Sequence, residues 1–230
     1  MLIRVIDTET TGFPPEAGIV ELGWTDVLFD PERKTCVVSE WQNELCNPNR
    51  PIEIAARAIH HISDSDVADC RTPDAIIDEL VQGVDYFCAH NAKFEQAFIL
   101  TEIPWICTLK AAYRLCPKSP NHQNQTIRYY LNTPVDPTLC MPAHRAGPDS
   151  YVTAHTLAKF LQAVPPEVLH NWEKEPPIFP HCPIGSKERG KPWAEVDRGF
   201  LAWCTRQPNM DPDILWNVKR ELDRRDGRLG

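Results

Sequence analysis

The sequence predicts an α/β fold, a mixed sheet flanked by helices with a small C-terminal appendage. Short apolar, β-branched runs alternate with stretches of helical periodicity, an order that builds a mixed sheet. Carboxylates and histidines fall where those runs end, the place where sites gather in such sheets. The length of 230 residues, 42% hydrophobic and 24% charged, suits one domain with a minor extra unit.

LIRVID is the first strand, ending in polar turn residues, with Gly12 and the Pro14-Pro15 pair stopping it. Ile19 to Asp30 reads as the second strand and Thr35 to Leu45 as a third, giving an antiparallel meander. Pro51 opens a short helix through Ile59. Thr72, Pro73 and the apolar spacing that follows predict a capped helix. YFCAH (Tyr86 to His90) is a short buried strand, followed by a helix over Ala92 to Ile99. Trp105 to Thr108 is strand-like and leads into a helix from Leu109 to Leu115. Pro148 begins a helix running to about Ala163, with Tyr151, Ala154, Ala158 and Leu161 on one face. The proline-rich stretch 164–183 reads as a linker. Residues 184–230 are close to the roughly 40-residue limit for an independent core. They are therefore expected to dock on the body, with Trp193, Phe200 and Trp203 as their own small core.

No apolar stretch approaches the roughly 20 residues that cross a bilayer, which argues against a membrane partner. MLIRVIDTE has too short an apolar run for a signal peptide, and nine scattered cysteines then read as reduced thiols of a cytoplasmic protein. His181-Cys182 and Cys204 lack any Cys-x2-Cys spacing that would announce zinc. The net charge of −8 is uneven. Residues 181–230 carry 10 Lys/Arg against 8 Asp/Glu, which leaves −10 for residues 1–180. An acidic body that holds cations presents an inverted local field, so net charge does not exclude a nucleic-acid partner.

The chemistry-bearing stretches are IDTETTGF, AHNAKFEQAF and HRAGPDSYVTA. Two carboxylates at the end of a core strand are costly without a cation beside them. In this order the stretches resemble the DEDD-type (DnaQ-like) 3′→5′ exonucleases: Asp7-x-Glu9, then Asn91-Ala-Lys-Phe-Glu95, then His144-x4-Asp149. The histidine marks the DEDDh branch, and the match spans about residues 1–163. AARAIHHIS, WICTLKAAYRL and IGSKERGKPWAEVDRGFLAW carry a closer likeness to one member, the last departing from a Gly-Lys-x-x-Gly-Lys pattern around Ser186.

The resemblance implies a ribonuclease H-like sheet and hydrolysis of DNA from 3′ ends to nucleoside 5′-monophosphates. It implies two Mg²⁺ or Mn²⁺ ions held by Asp7, Glu9, Glu95 and Asp149, with His144 as general base, a task suited to imidazole. For Asp7 and Glu9 to meet one ion, the strand end is expected to bend, with Gly12 helping the chain turn away. Position 95 departs from the family, whose residue there is Asp. Glu keeps the charge but sets it one methylene further out, implying altered metal preference. Thr10 is expected at the terminal 3′-OH and Phe13 against a base, with His60 or His61 at the terminal nucleotide and Asn91 bracing the site. Lys187, Arg189 and Lys191, between Gly185 and Gly190, suggest a flexible basic loop for phosphates. The partner implied is a single-stranded or frayed DNA 3′ end. An RNA-trimming exoribonuclease and a catalytically weakened nucleic-acid-binding subunit stay open as alternatives, as does the oligomeric state.

Overall fold

The computed structural model describes residues 1–228. β1 (Leu2–Thr10) and β2 (Ile19–Asp30) form a long antiparallel pair, and β3 (Thr35–Val38) and β4 (Gln42–Leu45) both pair with β2. The single strand expected over Thr35 to Leu45 is thus two. Ser39 accepts from the Asp26 amide, and the Trp41 indole donates to the Leu139 carbonyl at 2.8 Å, so the chain leaves the ladder between them.

Three short helices follow, α1 (Ile54–His60), α2 (Asp64–Val67) and α3 (Pro73–Leu80). Ser63 caps α2 through a capping box with Asp66. β5 (Tyr86–Ala89) and β6 (Trp105–Cys107) extend the sheet in parallel beside β1, so the order is β3-β2-β1-β5-β6. Between them α4 (Ala92–Glu95) is one turn, shorter than the expected helix to Ile99. The chain then continues through α5 (Thr108–Leu115), α6 (Asn124–Tyr130) and α7 (Ala146–Leu161).

Alternation along β1 divides the core. Ile3 and Val5 pack with Leu157, Phe160 and Leu161 of α7, whereas Ile6 packs with Leu22, Phe87, Ile76 and Leu80 on the other face. Asp7 and Glu9 continue the Ile3–Val5 row, and this places them on the face that α7 covers.

The stretch expected as a linker contains α8 (Pro166–Lys174), whose Leu169 is buried in the main core. His170 Nδ1 bonds the Trp105 carbonyl at 2.8 Å, and Lys110 reaches the Glu173 carbonyl. Proline at the first helical position starts α8 rather than forbidding it. The C-terminal unit holds α9 (Arg198–Cys204) and α10 (Pro212–Arg225), with a core of Trp193, Val196, Leu201, Cys204 and Val218. Phe200 is half-buried against that core, while Trp203 is 46% exposed and stacks on Phe200. The unit docks through Phe179, edge-on to Tyr113 with ring centres 5.3 Å apart, and through Lys93 and Asp213 at 3.8 Å. The nine cysteines form no disulfide among the described residues.

Candidate active site

Glu9 lies opposite Glu21 on β2, and Asp7 lies opposite Gly23. A Cβ on Gly23 would collide with the backbone of Ala146 and Gly147, so its absence lets the first turn of α7 press onto the strand pair. Asp149 sits in that turn. One carboxylate oxygen from each of Asp7, Glu9 and Asp149 lies within 4.8 Å of the others. The bend expected at the strand end is not what unites Asp7 and Glu9. Residues two apart on an extended strand share a face, and the ladder irregularity comes after Glu9, between Glu9 and Thr10.

These three line a cleft of about 520 Å³ with Glu95, His144, Asn91, Phe94, His90 and residues 123–125. Glu95 is 5% exposed; its Oε1 is 3.5 Å from the Thr8 hydroxyl and its Oε2 has no partner among the described residues. Glu95 is outside the tight trio. His144 adopts a left-handed backbone (φ 61°), and its amide donates to Asp149 Oδ2 at 2.7 Å. Its side chain is exposed at the cleft.

Burial dominates the electrostatics, and neighbouring carboxylates add to it. Burial, then the charges of Asp149, Glu95 and Glu9, push Asp7 well above the usual carboxylate range. Burial, then Asp149 and Glu21, raise Glu9 to about 8, against the opposing charge of Arg145. Burial also raises Asp149 and Glu95, and for Asp149 the His144 amide works in the other direction.

The nearest protein cation is already engaged. Arg145 grips Glu21 with two bonds of 2.9 and 2.6 Å, and the Ala146 amide and Asn43 complete the set around a carboxylate that is 0% exposed. Burial pushes Glu21 up, but Arg145, Ala146 and Asn43 outweigh it and leave the group below its ordinary value. Glu21, Arg145, Gly23 and Thr8 were not singled out from the sequence. A lone glutamate between Val20 and Leu22 in a buried strand was the available signal, since such a charge requires a partner.

A second hollow of about 190 Å³ adjoins the cleft through Thr8, Glu9 and Phe94 and is lined by Thr10, Gly12, Phe13, Ile59 and His60. Phe13 is 82% exposed, edge-on to Phe94 at 6.4 Å, and is therefore no core residue. Thr10 turns its hydroxyl to the Gly12 carbonyl at 2.7 Å. The two histidines separate: His60 is buried with its ring beside the Thr10 backbone, and its Nδ1 accepts from the Ile62 amide at 3.0 Å. His61 ends α1 in a left-handed conformation and lines a different surface cleft with Arg57.

The basic loop is not flexible in build. Amide bonds Cys182 to Lys191, Gly190 to Cys182, and Arg189 to Gly185 brace it, and Lys191 is paired with Glu188 at 3.0 Å. Lys187 and Arg189 are exposed and form no ion pair among the described residues.

A family model described as exonuclease, of the RNase T type, matches residues 5–157. Exodeoxyribonuclease 10 of Escherichia coli strain K12 is 31% identical over 230 residues, covering 96% of this chain and 99% of that protein. The solved structure of exonuclease X in complex with 5′ overhanging duplex DNA matches with a TM-score of 0.64 and 33% identity, over 74% of this chain and 99% of that one. The nuclease domain of 3′hExo, a DEDDh family member bound to rAMP, shares the fold, with a TM-score of 0.54 at 16% identity over 70% of this chain and 92% of that one.

Proposed function

We propose, for a chain that belongs to the DEDDh exonucleases, that the cleft removes nucleoside 5′-monophosphates from the 3′ end of DNA. One observation carries this reading. Three carboxylates converge within 4.8 Å where, among the described residues, no ion pair balances them, beside a hollow walled by an exposed phenylalanine.

Hard oxygen donors and uncompensated charge fit divalent cations of the Mg²⁺ or Mn²⁺ kind, and Glu95 contributes a buried oxygen with no other partner among the described residues. Asp7, Glu9, Asp149 and Glu95 would hold two such ions, which when bound supply water activation and neutralise the non-bridging phosphate oxygens.

The chain's own residues do the rest. Asp149, in the first turn of α7, is steadied by the His144 amide, and Asn124 Nδ2 bonds its main-chain carbonyl at 3.0 Å. That bond to Asp149 also fixes the His144 backbone, which leaves the imidazole at the cleft to take the proton from the attacking water. Phe13 and Phe94 offer faces to the terminal base, and Thr10 and His60 line the same hollow beside the sugar. His60 is the better candidate of the two histidines, because it lines this hollow while His61 lines a separate surface cleft.

DNA as substrate is supported by the exodeoxyribonuclease relative and by the duplex bound in the exonuclease X structure. The test is hydrolysis of matched 3′-labelled DNA and RNA strands with Mg²⁺, Mn²⁺ or EDTA. Metal-dependent release of mononucleotides from DNA is expected. Loss of RNA label at an equal or faster rate would turn the reading to an exoribonuclease, and no metal-dependent cleavage of either would overturn it.

A further inference from the structure

A groove of about 530 Å³ runs between the body and the C-terminal unit. Tyr113, Asn121 and His122 form one wall, and His181, Arg189 and Ile214 form the other. The family match ends at residue 157, so this second wall lies beyond it.

The groove lies next to the cleft. His122 lines the groove and the next residue, Gln123, lines the cleft. His90 joins the two: its ring lines the cleft, bonds the Thr108 hydroxyl at 3.0 Å and bonds the His122 carbonyl at 2.8 Å. On the opposite side the cleft shares Thr8, Glu9 and Phe94 with the Phe13 hollow. The hollow and the cleft thus share a wall, and the groove lies beside the cleft, separated from it by the His90–His122 contact. With the terminal nucleotide in the hollow and its phosphate at the carboxylates, the groove is the outlet for the remainder of the strand.

The chemistry of the groove suits that occupant. Its acids are committed: Asp211 caps α10 by accepting the Asp213 and Ile214 amides, and Asp213 faces Lys93. Arg189 is not, because it has no carboxylate partner among the described residues, and neither has Lys187, two residues before it and outside the groove lining. The braced loop holds Arg189 in place through its Nε bond to the Pro183 carbonyl at 3.0 Å, leaving the rest of the guanidinium free for a phosphate. Of the rings that line it, His181 is exposed and offers a flat face of the kind on which bases stack without regard to sequence, while Tyr113 packs on both His122 and Phe179.

We propose that this groove is a track for the strand on the 5′ side of the cleavage point, a phosphodiester-binding site in which Arg189 and Lys187 meet the backbone. The proposal rests on the exonuclease reading of the cleft.

The test uses the full chain and oligothymidylates of about three and about 15 nucleotides, the terminal linkage a phosphorothioate, with binding followed by fluorescence anisotropy. For Lys187→Ala/Arg189→Ala, affinity for the long strand is expected to fall about fivefold or more while the short strand binds as before. The slope of log affinity against log salt should shrink by about 1.4, since a single-strand phosphate contributes about 0.7. Hydrolysis of thymidine 5′-p-nitrophenyl phosphate should stay at the parent rate, and a matching thermal melt shows that the unit is folded. Arg189→Glu should deepen the loss on the long strand.

Long-strand affinity within about twofold of the parent in both variants overturns the proposal. A loss confined to 5′-overhanging duplex overturns it too, and assigns the groove to the complementary strand. If the parent cleaves no nucleic acid with any metal yet the long strand still depends on Arg189, the exonuclease reading falls and the groove stands.

Discussion

Glu9 and Glu21 face each other across the β1–β2 ladder, yet they are opposite kinds of acid. Glu21 is sealed beneath the start of α7, bound by Arg145, Asn43 and the Ala146 amide, and its carboxyl is held below its ordinary value. Glu9 lines the open cleft beside Asp7 and Asp149, and burial with the charges of Asp149 and Glu21 lifts it to about 8. The difference teaches that proximity to carboxylates does not make a metal ligand. What matters is whether the protein has already spent a cation on the group. Arg145 hydrogen-bonds one glutamate, and Glu9 on the other side of the ladder feels only its charge at longer range.

The contrast breaks most visibly at Asp7. Asp7→Asn removes one charge from the trio, and turnover is expected to fall by about a thousandfold while the fold persists. Single-turnover hydrolysis with a circular-dichroism melt checks this, and activity within about tenfold of the parent would remove Asp7 from the ligand set.

The structural acid should fail differently. Glu21→Ala strands Arg145 and the Ala146 amide and is expected to cost about 3 kcal/mol of stability, the low end for a broken buried pair because Arg145 is partly exposed. A joint Glu21→Met/Arg145→Met change should recover much of that loss in urea denaturation, since neither side is then left charged.

The pH dependence sharpens the pair. A carboxyl whose folded value is raised favours the fold when protonated. The Glu9 contribution is therefore complete below about pH 4, its unfolded range, and is lost as pH climbs toward 8. Glu21 runs the other way, stabilising above about pH 4 and losing that effect as pH falls through its depressed value. The melting temperature of the protein in EDTA is expected to decline between about pH 5 and 8, and Mn²⁺ should flatten that decline. An unchanged slope with Mn²⁺ would argue against the trio as a cation site.

The smallest effect belongs to Glu95. Glu95→Asp shortens a buried side chain by about one methylene, and turnover should stay within about tenfold of the parent. The ratio of Mn²⁺- to Mg²⁺-supported rates is expected to move, and an unchanged ratio would show that side-chain length there does not set metal preference.

Much of this site was legible in the chain. Asp7-x-Glu9, Asn91 to Glu95, and His144 with Asp149 stand in an order that resembles the DEDD-type exonucleases, and the strands that carry or precede the first two were evident from apolar runs. Other features were not. The break between β3 and β4 depends on Trp41 finding a carbonyl at Leu139, and α8 depends on Leu169 finding the main core. Neither partner is visible locally, and the prolines around α8 suggest a linker until the packing is known. His60 and His61 are adjacent letters, and only the end of α1 sends one inward and the other to a separate surface.

By itself the sequence determined the inventory: which oxygen-bearing side chains exist, in what order, and that a strand ends in acid. That follows because strand alternation and ligand chemistry are local properties of residue type and spacing. Which of those acids are free was decided only by the tertiary structure. Gly23 admits the start of α7, Arg145 arrives with it from more than a hundred residues away, and the cation settles on Glu21 rather than Glu9. Charge neutralisation acts through space over a few ångströms, and the chain order does not encode that distance.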